Sequence, residues 1–216
     1  MNALTLDQAC ADYGGEVVLG PIDLQIKPGE HVALVGRSGS GKSTLLALLH
    51  DRKRRDLALM PQNLGLVDTL SVFHNVYMGQ LPAHSSAYNL INLVRPFRRQ
   101  VLAVSSVLEQ LDMEATIWTR AGELSGGQRQ RVAVARSLFQ AGDVLLADEP
   151  VSALDGPRSE VVMQALTAKY TTTIIAMHDL ALARRYANRL IGIRNGTIAL
   201  DMPTHLVSTE ALDALY

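Results

Sequence analysis

The sequence predicts an α/β fold with a mainly parallel sheet. Short apolar stretches alternate with segments of helical periodicity, which is the pattern of strands joined by crossover helices. The stretch HVALVG (31–36) is nearly continuous in apolar residues, as in a strand that is buried on both faces. It runs into GRSGSGKST and then into LLALLH, so a glycine-rich loop joins this strand to a helix. That order of elements is the context in which a loop binds phosphate.

The other elements follow from the same two periodicities. Alternating apolar residues predict two strands of a small N-terminal sheet, at 3–8 and 17–27. Further strands of the parallel sheet are predicted at 57–62, 143–147 and 171–177. Helical periodicity predicts helices at 127–140, 157–169, 179–187 and 204–216, and a mainly helical lobe from 64 to about 118. Asn195-Gly196 between two apolar runs predicts a hairpin.

Composition limits the classes of protein to consider. The 216 residues are 48% hydrophobic, which is enough for one substantial domain. The 20 basic and 21 acidic residues give a net charge of -1, which argues against a broad polyanion-binding surface. Cys10 is the only cysteine, which excludes an intramolecular disulfide and fits a reducing compartment. No apolar run approaches the roughly 18 to 20 residues of a membrane-spanning helix, so we expect a cytoplasmic chain that meets a membrane only through a partner.

The loop at 36–43 carries the most specific chemistry. It fits G-x-x-x-x-G-K-[ST] at every position, and its glycines let backbone N–H groups approach phosphate oxygens without a clashing Cβ. Lys42 is expected to reach the β- and γ-phosphates of a nucleoside triphosphate, and the Ser43 hydroxyl to bind Mg²⁺. The residues of this loop expected to contact the nucleotide are Gly36, Arg37, Ser38, Gly39, Ser40, Gly41, Lys42, Ser43 and Thr44.

Two carboxylates, Asp148 and Glu149, follow the buried strand DVLLA. Adjacent residues of an extended chain point to opposite sides, so we expect them to have different roles. Asp148 is interpreted as a Mg²⁺ ligand through water, and Glu149 as the general base that polarises the attacking water. His178 follows the strand at 171–177, at the sheet edge where α/β folds bind ligands, and its imidazole is expected to donate to the γ-phosphate. Solvated side chains at strand ends are the alternative interpretation.

A serine and two glycines stand at the start of a predicted helix in ELSGGQRQRVAVAR (123–136). Exposed N–H groups and the positive end of the helix dipole suit an anion. Arg129 and Arg131 lie just inside the helix, and we interpret them either as a source of positive potential or as solvated helix residues. The pattern predicts an anion site and leaves the anion open.

Together these motifs resemble those of ABC transporter ATPases. LSGGQ (124–128) is similar to the signature sequence of that family and lies upstream of the acid pair, as the family's order requires. Tyr13 looks like the aromatic residue that stacks on adenine, and Gln62 looks like the glutamine that touches Mg²⁺ and water. The loop at 152–155 looks like the one that crosses to the other subunit, and His178 matches the switch histidine.

This resemblance implies a fold, two cofactors and a set of catalytic residues. The implied fold is a P-loop NTPase core of the ABC ATPase type at about 1–62 and 119–216, with a parallel sheet, a small N-terminal antiparallel β-subdomain and a helical subdomain inserted at about 63–118. ATP and Mg²⁺ are the implied cofactors. The implied catalytic residues are Lys42, Gln62, Glu149 and His178, and the implied Mg²⁺ contacts are Ser43, Gln62 and Asp148.

In this family two ATPase domains pair head to tail. The resemblance therefore implies a second copy of the chain, joined to the first by ATP. The residues that would contact ATP held by the 36–43 loop of the other copy are Ser125, Gly126, Gly127, Gln128 and Asp155.

Two further stretches look like the ATPase subunits of phosphonate-type importers: NLGLVDTLSVFHNVYMGQL after Gln62, and the ending STEALDALY. This closer resemblance implies import of a phosphonate-like solute. The implied partners are integral membrane permease subunits, which would contact the helical lobe including RPFRRQ (95–100), and indirectly a solute-binding protein. The chain would then be a peripheral subunit at the cytoplasmic face of the inner membrane. RPFRRQ has the alternative interpretation of a solvated basic face.

One spacing departs from the family's pattern. From Lys42 to Gln62 there are 20 positions (62 − 42), fewer than is typical of the family. The missing piece ordinarily forms an antiparallel hairpin and a strand near the nucleotide, and here DRKRRD (51–56) bridges directly. Because no catalytic motif falls in the gap, we expect the phosphate chemistry to survive with a shortened β-subdomain.

Three other functions fit the sequence less well than the ATPase of an importer. A soluble ABC ATPase acting on DNA or ribosomes usually carries tandem domains, coiled-coil insertions or basic arms, which this sequence lacks, so no nucleic-acid partner is expected. A regulatory module that binds nucleotide without hydrolysis would commonly have lost Glu149. A small-molecule P-loop kinase would need an acceptor-binding lid and has no use for LSGGQ.

Overall fold

The computed structural model describes residues 3–14, 16–51 and 56–215, apart from the side chains of Tyr13 and Glu16. The chain divides into two compact units. The first contains residues 1–62, 143–152 and 170–216, and the second contains residues 63–142 and 153–169. The boundaries implied above for the core and the helical subdomain stay predictions.

An antiparallel pair of strands begins the first unit. β1 (Leu4–Tyr13) pairs with β2 (Glu16–Ile26) in a two-stranded sheet. Leu6 and Leu19 from the two strands are buried in the core of the unit. The predicted N-terminal antiparallel sheet is confirmed, although β1 runs beyond the end predicted at residue 8. Register shifts after Leu6 break the alternation of side chains, and this irregularity hid the rest of the strand from sequence analysis.

A six-stranded sheet forms the centre of the first unit. Its strands are β3 (His31–Val35), β4 (Leu57–Met60), β5 (Val144–Asp148), β6 (Thr172–Ala176), β7 (Arg189–Arg194) and β8 (Thr197–Pro203). The spatial order is β4-β5-β6-β3-β7-β8. All neighbours pair in parallel except β7 and β8, which pair antiparallel. The predicted mainly parallel sheet is confirmed, and the carboxyl ends of β3, β5 and β6 lie side by side.

Eight α-helices belong to the part of the chain that the structure describes. In chain order they are α1 (Lys42–His50), α2 (Val72–Tyr77), α3 (Ser86–Val94), α4 (Arg98–Glu109), α5 (Gly126–Phe139), α6 (Gly156–Lys169), α7 (Leu180–Tyr186) and α8 (Thr209–Asp213). Short 3-10 helices lie at Met78–Ala83, Glu114–Thr116, Ala121–Glu123 and Thr204–Leu206. Among the described residues no helix is both long enough and apolar enough to span a bilayer.

Helix α1 connects the glycine-rich loop to the core of the first unit. Leu45, Leu46 and Leu49 lie on its buried face and share one apolar cluster with Leu34 of β3. β4 follows α1 directly in chain order and occupies the edge of the sheet next to β5. The middle of the predicted connection DRKRRD, residues 52–55, lies outside the described residues.

The hairpin between β7 and β8 packs against the glycine-rich loop. Asn195 and Gly196 have φ angles of 50° and 71°, as the predicted two-residue turn requires. The Gly196 N–H donates to the Ser40 carbonyl at 3.3 Å, and its own carbonyl accepts from the Gly20 N–H at 2.8 Å. A Cβ at Gly196 would lie 2.4 Å from the Val18 carbonyl oxygen, so only glycine fits this position. The turn therefore joins β2 to the glycine-rich loop.

The C-terminal tail is less helical than predicted. The predicted helix at 204–216 is a 3-10 turn at Thr204–Leu206 followed by the short helix α8. Ser208 separates the two because its hydroxyl caps α8, accepting from the Ala211 N–H at 3.2 Å.

The second unit is helical, as predicted for residues 64 to about 118. Helix α5 lies at its centre and contacts α2, α4 and α6. A run of small and branched apolar residues, Val132 to Ala135, is fully buried along α5. The helix starts at Gly126, one residue before the predicted start.

Candidate nucleotide-binding site

The loop between β3 and α1 has an open helix N-terminus. Gly41 is the N-cap residue of α1, and no side chain caps the helix there. The first N–H groups of α1 are therefore not bonded to a capping side chain, and the positive end of the helix dipole points along them. This is the arrangement that binds phosphate in proteins.

The shape of the loop depends on glycines at two close approaches. A Cβ at Gly36 would lie 2.3 Å from the Ile193 carbonyl oxygen, and a Cβ at Gly41 would lie 2.8 Å from a methyl group of Leu19. Both glycines also have positive φ angles, 141° and 111°. Close packing against β7 and β2 therefore restricts the loop to this conformation.

Lys42 folds back over the loop. Its side chain is almost fully buried, and Nζ donates to the Gly36 carbonyl at 2.8 Å and to the Arg37 carbonyl at 2.9 Å. Burial lowers the pKa of Lys42, and the negative charges of Glu149 and Asp148 oppose that shift. The ammonium group thus lies within the electrostatic reach of both carboxylates.

The donors of this loop fit a polyphosphate. In addition to the ammonium group of Lys42, the loop offers the Ser40 hydroxyl, which is buried and has no hydrogen-bond partner among the described residues. Ser43 is exposed on the first turn of α1, and Thr44 next to it is half-buried. An ammonium group, hydroxyls and uncapped N–H groups are the groups that phosphate oxygens accept from.

The acid pair lies at the end of β5, beside the end of β6. Asp148 is the last residue of β5 and is mostly buried. The Glu149 N–H donates to the Ala176 carbonyl at 2.9 Å, and the φ angle of Glu149 is 52°. The argument from strand alternation is therefore wrong for Glu149, because the chain has left the extended conformation there. The left-handed turn, not the pleat, sets the direction of its side chain.

His178 contacts Glu149 of the acid pair directly. Its Nε2 lies 2.7 Å from Oε1 of Glu149. The imidazole is about half exposed, whereas the carboxylate is mostly buried. The sheet brings the two side chains together, because Asp148 of β5 pairs with Ala176 of the neighbouring strand β6. Glu149 and His178 follow just after these paired residues.

The remaining candidate residues of the first unit are Gln62, Tyr13 and the expected contacts of Mg²⁺. Gln62 is exposed two residues after β4. Tyr13 ends β1, and its side chain lies outside the described residues. Within the described residues no cluster of three or more His, Cys, Asp or Glu side chains could hold a metal ion. Ser43, Gln62 and Asp148 offer oxygen atoms, which suit Mg²⁺ when phosphates and water complete its ligands.

In the second unit, the serine and glycines of the predicted anion site form the N-terminus of α5. Ser125 is the N-cap: its hydroxyl accepts from the Gln128 N–H at 3.4 Å, and its N–H donates to Oε1 of Gln128 at 2.9 Å. This reciprocal capping box fixes the turn. A Cβ at Gly126 would meet nothing within 4 Å, whereas one at Gly127 would lie 3.1 Å from the Ala153 carbonyl oxygen. The turn is therefore rigid, small and open at Gly126.

Asp155 and the two arginines of α5 have local partners in the second unit. Asp155 accepts from the Arg158 N–H at 3.1 Å and forms an ion pair with the same residue's guanidinium. Arg131 is buried and donates to the carbonyls of Leu111 and Asp112 at 2.7 and 3.2 Å, so its interpretation as a solvated helix residue is wrong. Arg129 forms an ion pair, described below.

Comparison with known proteins identifies the family. The model of the ABC transporter family matches residues 19–54 and 49–152. The chain belongs to the ABC transporter family. The ABC protein is 35% identical over 231 residues to the phosphonates import ATP-binding protein PhnC 1 of Halalkalibacterium halodurans, covering 94% of this chain and 89% of the relative.

Solved structures of ABC cassettes resemble it throughout. The dimeric structure of the bacterial cassette MJ0796 is 26% identical with a TM-score of 0.74, covering 94% of this chain and 97% of that one. A post-hydrolysis dimer of the same cassette, bound to ADP and Pi, is 27% identical with a TM-score of 0.71 over the same shares of the two chains. The expected P-loop ABC ATPase fold is confirmed, and the protein is an ATP-binding ABC ATPase.

Sequence reasoning named Gly196 as a hairpin residue and Arg131 as a helix arginine, but it missed their long-range contacts, and it missed Ile193 and Arg136 altogether. Ile193 and Gly196 brace the phosphate loop from the β7–β8 hairpin. Arg131 and Arg136 of α5 bind backbone carbonyls in the second unit. No local signal marks these contacts, because the partners lie far away along the chain.

Proposed function

We propose that this ABC ATPase supplies the energy for import of a phosphonate-class solute, as a peripheral subunit at the cytoplasmic face of the membrane. The observation that carries the proposal is the similarity to phosphonate import ATP-binding proteins over 94% of the chain, together with the contact between Glu149 and His178 at the phosphate loop. A permease would carry the solute, and a solute-binding protein would deliver it. No observation favours the soluble alternative.

Most roles proposed for the first unit follow its geometry. Lys42 and the N–H groups of the 36–43 loop bind the phosphates. Tyr13 is proposed to stack on the adenine from the family resemblance alone, because its side chain lies outside the described residues. Glu149 takes a proton from the attacking water, because its carboxylate lies beside the loop and is oriented by His178. Bound Mg²⁺ would neutralise phosphate charge, with Ser43, Asp148 and Gln62 as the protein groups that would hold it.

The second unit is proposed to complete the site of another copy. The open turn at Ser125, Gly126 and Gly127 presents N–H groups and a helix dipole to an anion, and Gln128 keeps the turn in place. Asp155 lies in the loop proposed to cross between copies. ATP bound by one copy would therefore join two copies, and its hydrolysis would release them.

The dimer proposal is tested by a variant that binds ATP without hydrolysing it. Glu149→Gln with ATP and Mg²⁺ should elute as a dimer in gel filtration, and with ADP as a monomer. A monomer with ATP shown to be bound would contradict the sandwich of two copies. Ser125→Arg in the same background should remain a monomer.

The permease is proposed to dock on the second unit. A groove of about 420 Å³ lies between α2 and α3, and its lining is mostly apolar. Leu90, which lines the groove, is exposed by 64%, and Ile91 and Val94 of the same helix are exposed by 54% and 81%. Arg95, Arg98 and Arg99 follow as an exposed basic run. An amphipathic cytoplasmic helix with an acidic residue would suit this surface.

A reconstituted transporter tests the importer as a whole. The ATPase and the permease should copurify, and in liposomes an alkylphosphonate-loaded binding protein should raise ATP hydrolysis. Ile91→Asp should abolish copurification, whereas Val161→Asp, at an exposed position on α6, should not. Stimulation by a solute of another class and not by alkylphosphonates would contradict the proposed solute.

A further inference from the structure

Arg129 joins the signature turn, which is formed by Ser125, Gly126 and Gly127, to the segment at 64–70. It lies one turn into α5, and its Nη1 is 2.6 Å from Oδ1 of Asp68 and 3.0 Å from the Ala121 carbonyl oxygen. Ala121 begins the 3-10 turn that leads into Ser125. One guanidinium therefore contacts both the approach to the signature turn and residues 64–70.

Asp68 holds the same approach through its backbone. The Gly122 N–H donates to the Asp68 carbonyl at 3.0 Å, and the Ala121 N–H donates to the Leu70 carbonyl at 2.9 Å. A Cβ at Gly122 would lie 3.2 Å from Asp68, so the two segments are in close contact. The path by which the chain enters α5 is thus set by residues 68–70.

A second arginine ties the same segment to α5. Arg136 donates from Nη1 to the Gly65 carbonyl at 2.7 Å and from Nη2 to the Leu64 carbonyl. Arg129 and Arg136 are seven positions apart (136 − 129), which is about two helical turns, so they lie on the same face of α5. Asn75 fixes the middle of the segment by accepting from the Val67 N–H at 2.8 Å. The segment at 64–70 and α5 are therefore linked at several points.

We propose that Asp68 and Arg129 are a positioning pair for the signature turn, holding Ser125, Gly126 and Gly127 in the orientation that completes the ATP site of another copy. This proposal rests on the proposed function. The side chains of Arg129 and Asp68 are 28% and 62% exposed, so the pair adds little to stability. Its effect is on orientation, because the two bonds of Arg129 fix the turn next to the phosphate-binding residues.

The test compares charge-neutralising and conservative variants in the Glu149→Gln background. Arg129→Gln and Asp68→Asn should each weaken ATP-dependent dimerisation by roughly threefold to tenfold. The affinity of the monomer for a fluorescent ATP analogue should not change, because the phosphate loop is intact. Arg129→Lys, which keeps a charge opposite Asp68, should recover most of the dimerisation. Lys169→Gln, an exposed charge at the end of α6, is the matched control.

The outcomes separate this inference from the proposed function. If the Glu149→Gln parent does not dimerise with ATP, the sandwich proposal fails, and the inference fails with it. If the parent dimerises and Arg129→Gln dimerises equally well, only the positioning role is overturned. A large fall in melting temperature that Arg129→Lys does not recover would assign the pair a structural role, which also overturns the proposal.

Discussion

His178 Nε2 lies 2.7 Å from Oε1 of Glu149, and this contact couples two catalytic candidates that stand 29 positions apart. A base that is held by a hydrogen bond in one orientation is better placed to meet a water molecule than a free one. The relationship predicts that the two side chains act as a unit in hydrolysis.

Glu149→Gln should lower the kcat of ATP hydrolysis by about a hundredfold or more, because an amide cannot take the proton. His178→Ala should lower kcat as well, since the carboxylate loses its orienting partner. The double variant should be no slower than the slower single variant. Steady-state phosphate release measures all three, and independent, multiplying effects would contradict the coupling.

Ser125→Arg should abolish hydrolysis while the monomer still binds ATP. The long cationic side chain would fill the open turn proposed to meet a γ-phosphate, and it would also remove the N-cap. Ser125→Ala removes only the cap, at a cost of roughly 0.5–2 kcal/mol of stability, and should keep more activity than Ser125→Arg. Normal hydrolysis by Ser125→Arg would show that the turn takes no part in the reaction.

Gly36→Ala should destabilise the first unit and weaken ATP binding. The new methyl group would lie 2.3 Å from the Ile193 carbonyl oxygen at a φ of 141°, so the loop must move. Overpacking of this kind costs roughly 1–3 kcal/mol, which urea unfolding can measure. Gly156→Ala, where a Cβ meets nothing within 4 Å, should have no comparable effect. Equal stability of the two variants would rule out the proposed clash.

His31 should make the protein less stable as the pH falls. Burial lowers the pKa of His31 from its ordinary value of 6.5. Below pH 6.5 the unfolded chain therefore takes up a proton more readily than the folded chain, and stability declines down to the lowered folded pKa. Urea unfolding at about pH 7.5 and about pH 5.5 should show a smaller loss for His31→Gln than for the unmodified protein. His205→Gln, at an exposed position, should leave the loss unchanged.

Local signals were enough to predict most of the fold. Gly36, Gly41 and Lys42 follow a buried strand, and the geometry of a phosphate loop follows from that order. Asn195-Gly196 predicted its own turn because both residues tolerate a positive φ. Contacts between distant residues could not be predicted in this way. Arg131 looks like any other helix arginine in the sequence, and only its burial and its bonds to the carbonyls of Leu111 and Asp112, just after α4, show its structural role.

Gly196 is hydrogen-bonded to both Ser40 and Gly20, and this has a consequence for synthesis of the chain. During translation the phosphate loop leaves the ribosome long before the hairpin that braces it. A nascent chain that ends before residue 196 carries the lysine, the carboxylates and the histidine of the site, but lacks the hydrogen bonds of Gly196 to Ser40 and Gly20. We therefore expect tight binding of nucleotide only after Gly196 has folded against the loop.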